Sequence, residues 1–460
     1  MKILLVKPFL SPASLVGGDY VELEPLELEY LAAAISSHDV ELIDMRYDRD
    51  LGGRIESFEP DVVACTAYSV HVYNTLAIMR AVKRIDPRIF TVIGGHHATL
   101  MPHDFQRAEV DAIVCGEGVF TFRELVECLE RGLPPAGVPG LWYPKDGSFV
   151  FTGPRNDIDK LDALPLPSRQ ISSKYRDRYF YLWWRPAALI RASAGCAYRC
   201  AFCPIWKAAG GKWMYRTPDR VADELAEIRE SFVYFCDDNA FFGRETMTAL
   251  YQAISERRIA KEYFFFSRAD TVVRNRDLVE RWAEIGLRQV FLGLEAVEVQ
   301  KLRALNKRMD ARTNEEAVAV LKANGIDPFA AFMIFPDFAA QDFDRIHEYM
   351  EKLGIYYSEI TVLTPAPGSD LYWESRDRLT TDDYELFDYM HPVVPTRLEK
   401  REFFKRLASL YWRSYSPFRA LRLRPMTGPP LAPRYVARTL LVAARNYRAI
   451  RNAYKVKLSG

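Results

Sequence analysis

The chain has 460 residues, of which 49% are hydrophobic and 27% charged, and this length allows about three globular domains. It contains no run of 18 apolar residues, so the composition excludes a membrane-spanning helix. The net charge is +1, but residues 401–460 carry 14 Lys and Arg side chains against the single acid Glu402. The chain opens in a predicted strand and not a signal peptide, and its odd cysteine count argues against a disulfide framework and for the cytoplasm.

Residues 1–135 alternate short apolar segments with amphipathic ones, which predicts a doubly wound, Rossmann-like α/β domain with a parallel sheet. The predicted strands are residues 2–7, 40–44, 61–66, 90–94 and 111–115, and the predicted helices are residues 25–37, 72–85 and 119–131. Small and polar residues lie at the carboxyl ends of three strands: Thr66, Ser69, Gly94, Gly95, His97, Gly116 and Glu117. Because glycine lets backbone amides approach a ligand closely, this edge is a predicted binding site.

Residues 136–175 are rich in Pro and Gly and predict a linker with a hairpin that turns at Asp146-Gly147. Residues 176–365 then repeat a strand and a helix about six times, which predicts a partial (β/α)6 barrel that is open on one side. The predicted strands are residues 187–193, 232–236, 262–267, 289–293, 328–335 and 357–363, with helices such as 218–230 and 313–324 between them.

Residues 366–460 are predicted to be mostly helical. Within residues 434–457, apolar side chains recur at a spacing of three and four, and most of the basic ones fall on the opposite side. The apolar positions are Val436, Leu440, Ala443, Tyr447, Ile450 and Tyr454. Such a helix suits peripheral contact with an anionic membrane surface. A helix packed on the domain and a nucleic-acid patch are the alternatives; no nucleic-acid motif accompanies the latter, and we expect no nucleic-acid partner.

Three of the seven cysteines, Cys196, Cys200 and Cys203, are spaced by four and then three residues directly after a predicted buried strand. Thiolates this close can reach one metal centre, and three protein ligands leave one iron of a cubane cluster open. A structural zinc site normally closes with four protein ligands, and the next cysteine, Cys236, lies at the end of another strand. The pattern therefore favours an iron–sulfur cluster, with zinc or a chance grouping of structural cysteines as alternatives.

The pattern C-x-x-x-C-x-aromatic-C, in which Phe202 is the aromatic residue, resembles the signature of the radical S-adenosylmethionine (SAM) enzymes. The resemblance implies that Cys196, Cys200 and Cys203 hold a 4Fe–4S cluster whose open iron chelates SAM. An electron from a donor such as flavodoxin or ferredoxin then generates a 5′-deoxyadenosyl radical. The resemblance also implies that Phe202 packs over the cluster.

Polar side chains at the ends of the next three barrel strands are the candidates for binding SAM. They are Asp237, Asp238, Ser267, Arg268 and Glu295. The resemblance implies that the two aspartates hold the amino group, that Ser267 and Arg268 meet the carboxylate, and that Glu295 binds the ribose. The alternatives are a helix N-cap at Asp238 and a pairing of the carboxylates with neighbouring arginines.

The segments Gly94-Gly95-His96-His97-Ala98-Thr99 and Gly116-Glu117-Gly118-Val119-Phe120-Thr121-Phe122 resemble the cobalamin-binding domain of one radical SAM subclass. The resemblance implies that these loops, together with Thr66, Ser69 and Thr121, line cobalamin. The D-x-H-x-x-G loop, which supplies a cobalt-binding histidine in classical cobalamin domains, is absent after the first strand. Either the lower face of cobalt has no protein ligand or another residue serves, with His97 as a candidate, although a histidine in a polar loop more often hydrogen-bonds.

Further segments look like those of the bacterial hopanoid C-methylases, among them Trp206–Pro218, Tyr234–Asn239, Leu363–Tyr372 and His391–Leu398. This resemblance implies transfer of a methyl group from methylcobalamin to an unactivated carbon of a hydrophobic substrate, such as a hopanoid lipid. The runner-up function is a cobalamin-dependent radical cyclase or oxidase that acts on a tetrapyrrole or another natural product, and a sensor without turnover is a third. No Ser-His-Asp arrangement is found, so no catalytic residue is assigned.

Overall fold

The computed structural model describes residues 1–15, 20–156, 161–415 and 433–455. Two sheets dominate the fold, one of seven strands and one of six, and each strand order is built mainly from parallel neighbours. Within the described ranges, no helix combines the length and the apolarity that a bilayer crossing requires. The α/β architecture predicted for both domains is confirmed.

The first sheet has the order β3-β1-β4-β5-β6-β7-β8. The strands of this region are β1 Lys2–Lys7, β2 Val21–Glu22, β3 Asp39–Asp44, β4 Val62–Thr66, β5 Phe90–Gly94, β6 Ala112–Val114, β7 Leu141–Lys145 and β8 Ser148–Phe151. The helices are α1 Leu26–Ala34, α2 Leu51–Phe58, α3 Val72–Ile85, α4 His96–Leu100 and α5 Gly118–Glu130. In β1, Ile3 and Leu5 pack into one apolar cluster and Leu4 and Val6 into another, because helices cover both faces of the sheet.

The first sheet differs from expectation in two places. The hairpin formed by β7 and β8 pairs antiparallel with β6, so part of the predicted linker extends the first sheet. Helix α2 was not predicted, since Gly52 and Gly53 lower helix propensity. Its start is stabilised because the Asp50 carboxylate accepts a hydrogen bond from the Gly53 N–H at 2.9 Å.

The second sheet is a partial barrel in which six parallel strands follow one another in chain order, β10-β13-β14-β15-β16-β17. The strands of this region are β9 Phe180–Tyr181, β10 Ala188–Ile190, β11 Ser193–Gly195, β12 Trp213–Tyr215, β13 Phe232–Phe235, β14 Glu262–Ser267, β15 Leu287–Glu295, β16 Asp327–Ile334 and β17 Tyr357–Val362. The helices are α6 Ile205–Ala208, α7 Pro218–Glu227, α8 Arg244–Glu256, α9 Ala269–Arg274, α10 Arg276–Glu284, α11 Val299–Ala304, α12 Ala311–Ala323 and α13 Ala340–Lys352.

The first predicted barrel strand, residues 187–193, is wrong as a single element. The chain leaves the barrel sheet after Ile190, and β11 pairs antiparallel with β12 outside it. The turn depends on Gly195, whose φ is +84° and whose added Cβ would lie 2.2 Å from the Lys212 carbonyl oxygen. Only glycine tolerates that conformation and that close approach of backbone, and the cysteine loop begins at the next residue.

The C-terminal helices are α14 Asp370–Glu374, α15 Lys400–Ser414 and α16 Pro433–Asn452. Ala443 and Ile450 of α16 are buried, and the Tyr447 ring lies 5.9 Å from that of Trp412 in α15. The predicted apolar face therefore packs on the protein, while Arg448 and Lys455 are exposed. The side chains of Arg434, Val436 and Arg438, and residues 456–457, lie outside the described part of this predicted helix.

A buried carboxylate joins the two sheets. Glu24, directly before α1, is fully enclosed and accepts a hydrogen bond from the Leu189 N–H of β10. Glu24 also pairs with Arg176 of the short 3-10 helix Arg169–Arg178, and Arg176 pairs in turn with Glu230 before β13. These contacts fix the first sheet against the start of the barrel.

Replacing this carboxylate tests its role. We expect Glu24→Gln to lower the free energy of unfolding by about 3 kcal/mol, because it removes the enclosed charge that pairs with Arg176 and leaves that guanidinium with Glu230 alone. The measurement is the urea midpoint of the cluster-free protein. The matched control is Glu316→Gln, which removes the exposed pair with Arg276 and should cost less than about 1 kcal/mol. Equal midpoints for the two variants would contradict the assignment.

Candidate active site

The cysteine loop begins where β11 ends and is held at several points by other parts of the chain. The Ala201 N–H donates to the Leu305 carbonyl at 3.0 Å, and the Leu371 N–H donates to the Ala201 carbonyl at 2.9 Å. The Asn306 side chain donates to the Arg199 carbonyl at 2.7 Å. The loop is thus fixed by the connection after α11 and by the start of α14.

The three thiols lie on this loop within electrostatic range of one another. Burial raises the pKa of the Cys203 thiol to about 12, and Cys200 and Cys196 act in the same direction. Among the described residues, no group of three His, Cys, Asp or Glu side chains is placed to hold a metal ion.

A cation faces the loop from the end of β14. Arg268 is buried, and its Nη1 donates to the Cys200 Sγ at 3.4 Å. Its guanidinium stacks 3.8 Å from the centre of the Tyr198 ring, and its Nη2 donates to the Lys307 carbonyl at 2.8 Å. A guanidinium at a cysteine sulfur offsets the negative charge that thiolates and their metal centre bring, so these residues fit an iron–sulfur cluster.

The two aspartates after β13 have different surroundings. Asp237 is 1% exposed, and its two oxygens accept hydrogen bonds from the Ala192 N–H and the Ser193 hydroxyl, both at 2.8 Å. Burial raises the pKa of Asp237 to about 6, while these hydrogen bonds act in the opposite direction. Asp238 accepts only from the Gly195 N–H, at 2.8 Å, and its Oδ1 bonds to no described residue. Asp237 therefore ties the strand ends together, and Asp238 has an oxygen to offer a ligand.

The other two strand ends also hold polar side chains. The buried Ser267 hydroxyl bonds to Asn239 and Thr271, at 3.3 and 2.9 Å, so it belongs to an internal network. Glu295 is buried with a positive φ of 65° and forms an ion pair with Lys307. The Lys307 ammonium also donates to the Gly293 carbonyl at 2.7 Å, which holds the Glu295 carboxylate at the mouth of the barrel.

The polar loops of the first sheet face the barrel. Glu117 forms an ion pair of 3.2 Å with Arg191, which follows β10. Tyr68 is 45% exposed and stacks on His96 with ring centroids 5.3 Å apart. Burial raises the pKa of Tyr68, and the charge of Asp238 at the edge of the barrel acts in the same direction. Burial lowers the pKa of His96, and the cations Arg191 and Lys7 act in the same direction. The carboxyl edges of the two sheets therefore enclose a common space.

Glycines shape this edge of the first sheet. Gly95 has a φ of +104°, and an added Cβ would lie 2.8 Å from the Ala67 backbone. Thr99 accepts a hydrogen bond from the Gly116 N–H at 3.0 Å, which joins the loops after β5 and β6. Thr66 is buried beside Gly95, and Ser69 and Gly94 lie in the same loop cluster.

Two residues that were expected to contact cobalamin, His97 and Thr121, have hydrogen-bond partners within the protein. His97 is buried, and its ring nitrogens bond to the Ser69 hydroxyl and to an Asp104 oxygen, both at 2.9 Å. No ring nitrogen is left to bind cobalt. The Thr121 hydroxyl is fully buried, donates to the Pro139 carbonyl at 2.9 Å and accepts from Arg155 at 2.9 Å. Thr121 therefore anchors the linker.

Known proteins share this arrangement. Residues 15–126 match the B12 binding domain, and residues 190–350 match the radical SAM superfamily. A hopanoid C-3 methylase of Methylococcus capsulatus is 31% identical over 416 residues, which cover 88% of this chain and 79% of that protein. The chain belongs to the cobalamin-dependent radical SAM enzymes.

Two further proteins extend the comparison. An anaerobic magnesium-protoporphyrin IX monomethyl ester cyclase of Rubrivivax gelatinosus is 26% identical over 436 residues, or 90% of this chain and 77% of that protein. The solved structure of the cobalamin-dependent SAM radical enzyme OxsB, with aqua-cobalamin and SAM bound, has the same fold with a TM-score of 0.72. It is 16% identical and covers 98% of this chain and 71% of its own.

Family membership confirms the expected class and its cofactors. The protein is a radical SAM enzyme that uses a 4Fe–4S cluster, SAM and cobalamin, and its relatives include methyltransferases. Four polar residues near the two edges were missed as candidates from the sequence: Tyr68, Arg191, Glu359 and Tyr389. A sequence signal existed for Glu359, the only acid in a strand that also holds the apolar Ile360 and Val362.

The cluster assignment predicts a loss of iron from three variants. Alanine at Cys196, Cys200 or Cys203 should each reduce the iron bound after anaerobic reconstitution to near the background, because a cubane held by two thiolates lacks a corner. Cys128→Ala and Cys236→Ala are the matched controls and should retain the wild-type iron content and charge-transfer absorption. Iron loss from a control, or its retention in a loop variant, would contradict the assignment.

The surroundings of the two aspartates predict different defects. Asp238→Asn keeps the bond from the Gly195 N–H but removes the charge, and it should weaken SAM binding to the cluster-loaded protein by about tenfold to a hundredfold. Asp237→Asn places an amide N–H against either the Ala192 N–H or the Ser193 hydroxyl, which both donate to the native carboxylate. This variant should therefore lower the thermal stability. Equilibrium dialysis and thermal unfolding measure the two effects. Wild-type SAM affinity in Asp238→Asn would reverse the roles.

Proposed function

We propose that this enzyme transfers a methyl group from cobalamin to an unactivated carbon of a hydrophobic substrate, and that the substrate is a hopanoid lipid. The observation that carries the proposal is the 31% identity to a hopanoid C-3 methylase over 88% of this chain. That length includes far more than the cysteine loop, which all radical SAM enzymes share.

The two facing edges support the proposal chemically. When bound, SAM and the reduced cluster supply a radical that removes a hydrogen atom from the substrate, and cobalamin supplies the methyl group. Asp238 would hold the SAM amino group, and the Glu295–Lys307 pair would hold the ribose hydroxyls. Arg268 would lie between the cluster and the SAM carboxylate. A bound substrate that fills the space between the two edges would exclude water, which limits side reactions of a carbon radical.

A cyclase is the second candidate function. It is favoured by the 26% identity to the cyclase of Rubrivivax gelatinosus over 90% of this chain. A cyclase would form 5′-deoxyadenosine without transferring a methyl group, so the two functions differ in their products.

Electron supply and location are finer parts of the proposal. A flavodoxin or ferredoxin would reduce the cluster in the cytoplasm. A lipid substrate would favour peripheral contact with a membrane, and the exposed Arg448, Arg451 and Lys455 of α16 could attract an anionic surface. Since the apolar face of α16 packs on α15, such contact would be electrostatic and would weaken with salt.

An anaerobic assay with methyl-labelled SAM tests the proposed function. Protein loaded with cluster and cobalamin, supplied with a reductant and a bacterial lipid extract, should yield labelled hopanoid together with 5′-deoxyadenosine and S-adenosylhomocysteine. Cys203→Ala should yield none of these, and Cys128→Ala should match the wild type. Formation of 5′-deoxyadenosine in the presence of a magnesium porphyrin ester, with no label in any lipid, would favour the cyclase.

A further inference from the structure

The inside of the barrel has an aromatic floor. Phe266, Phe291, Phe329 and Tyr357 lie on four adjacent strands, and the strand register pairs each ring with the next. Neighbouring ring centroids are 4.9, 5.5 and 6.3 Å apart along this row. All four side chains are half-buried, so each ring has one part packed in the base of the barrel and another part open to solvent. A continuous row of rings offers a flat apolar surface.

Smaller side chains follow one step nearer the mouth. The register places Gly293, Ala331 and Glu359 side by side on the three strands β15, β16 and β17. The position above Gly293 is taken by the Glu295–Lys307 pair, since an added Cβ would lie 2.7 Å from the Lys307 ammonium. Ala331 contributes only a methyl group. The space above the floor therefore opens beside Glu359.

Glu359 is unusual for a side chain inside a barrel. It is exposed to solvent although protein surrounds it, as expected for a group on the wall of an internal chamber. Its carboxylate forms no hydrogen bond or ion pair with any described residue. Burial raises the pKa of Glu359 to about 7, and Glu295 acts in the same direction. A carboxyl group in such surroundings is stabilised only when a polar partner reaches it.

Tyr389 is a second polar side chain near Glu359, because its backbone bonds to β17 three residues further along that strand. Its φ of 61° is uncommon for a bulky residue, and its carbonyl accepts the Val362 N–H at 2.7 Å. Strained residues of this kind persist where the surrounding structure fixes them, often at binding sites. Its side chain is 44% exposed, and burial raises the pKa of Tyr389 to about 12, with Cys203 and Glu359 acting in the same direction. The Tyr389 hydroxyl therefore lies within electrostatic range of both the cluster loop and Glu359.

We propose that the aromatic floor binds the apolar rings of the substrate, while Glu359 and Tyr389 bind a single oxygen atom that the substrate carries. Both groups can donate a hydrogen bond near neutral pH, so they fit a hydroxyl or carbonyl oxygen better than a cation or an anion. This binding would fix which carbon faces the cluster. The proposal rests on the proposed function only in taking the substrate to be apolar.

Two fluorescent probes test the proposal without knowledge of the substrate. Pyrene and 1-pyrenemethanol share a flat apolar ring system and differ by one hydroxymethyl group. Quenching of their fluorescence by cobalamin-loaded protein reports binding near the cofactor. We expect the wild type to bind 1-pyrenemethanol about tenfold more tightly than pyrene, because one hydrogen bond to a buried group contributes on this scale.

The variants assign that preference to the two residues. Glu359→Ala should lose it, Glu359→Gln should retain most of it because an amide still donates, and Tyr389→Phe should lose part of it. Glu280→Gln, on the outer side of α10, is the matched control and should behave as the wild type. Cobalamin content verifies that each variant is folded.

Equal affinity of the wild type for the two probes, or an unchanged preference in Glu359→Ala, would overturn the proposal. These results are independent of the labelled-lipid assay. An enzyme that labels no hopanoid can still prefer 1-pyrenemethanol, which would refute the proposed substrate alone. An enzyme that labels hopanoid without this preference would refute the role of Glu359 alone.

Discussion

The buried Glu24 carboxylate is the contact on which the geometry of the active site depends. It bonds to the backbone of the first barrel strand and to Arg176, so the carboxyl edges of the two sheets are held face to face. Reacting groups on different cofactors must meet within a few tenths of an ångström, and a loose junction between the sheets would lose that alignment. A buried ion pair adds little net stability, but its bonds define one orientation.

The sequence predicted the fold well because the patterns behind it are local. Strand β1 has apolar residues at every central position, and the cysteine spacing needs no tertiary information. The prediction wrongly assigned the start of β11 to the first barrel strand. The partner of β11 is β12, which follows the cysteine loop, so their pairing cannot be seen in a local pattern. The pairing of the β7–β8 hairpin with β6 was likewise not predicted, because it is made by backbone hydrogen bonds that leave no pattern in the side chains.

The site residues were harder to predict because a polar side chain at a strand end can serve the ligand or the chain. Asp237 and Asp238 are adjacent and chemically identical. Both oxygens of Asp237 accept hydrogen bonds from Ala192 and Ser193, whereas Asp238 has one oxygen available to a ligand. His97 and Thr121 sit in motifs typical of cobalamin domains and still point their polar atoms at protein partners. Only the three-dimensional contacts distinguish these cases. Glu359 went unnoticed because strand alternation does not say which face is the inside of a barrel.

The hydrogen bond between Leu371 and Ala201 has a consequence for how the enzyme is made. The cysteine loop lies before the middle of the chain, but a residue some 170 positions later on the chain closes it. The ribosome therefore releases the cysteines long before their final enclosure can form. Iron–sulfur assembly factors would meet either an open loop on a nascent chain or a nearly complete protein, and only the second offers the enclosure that protects a cluster from oxygen.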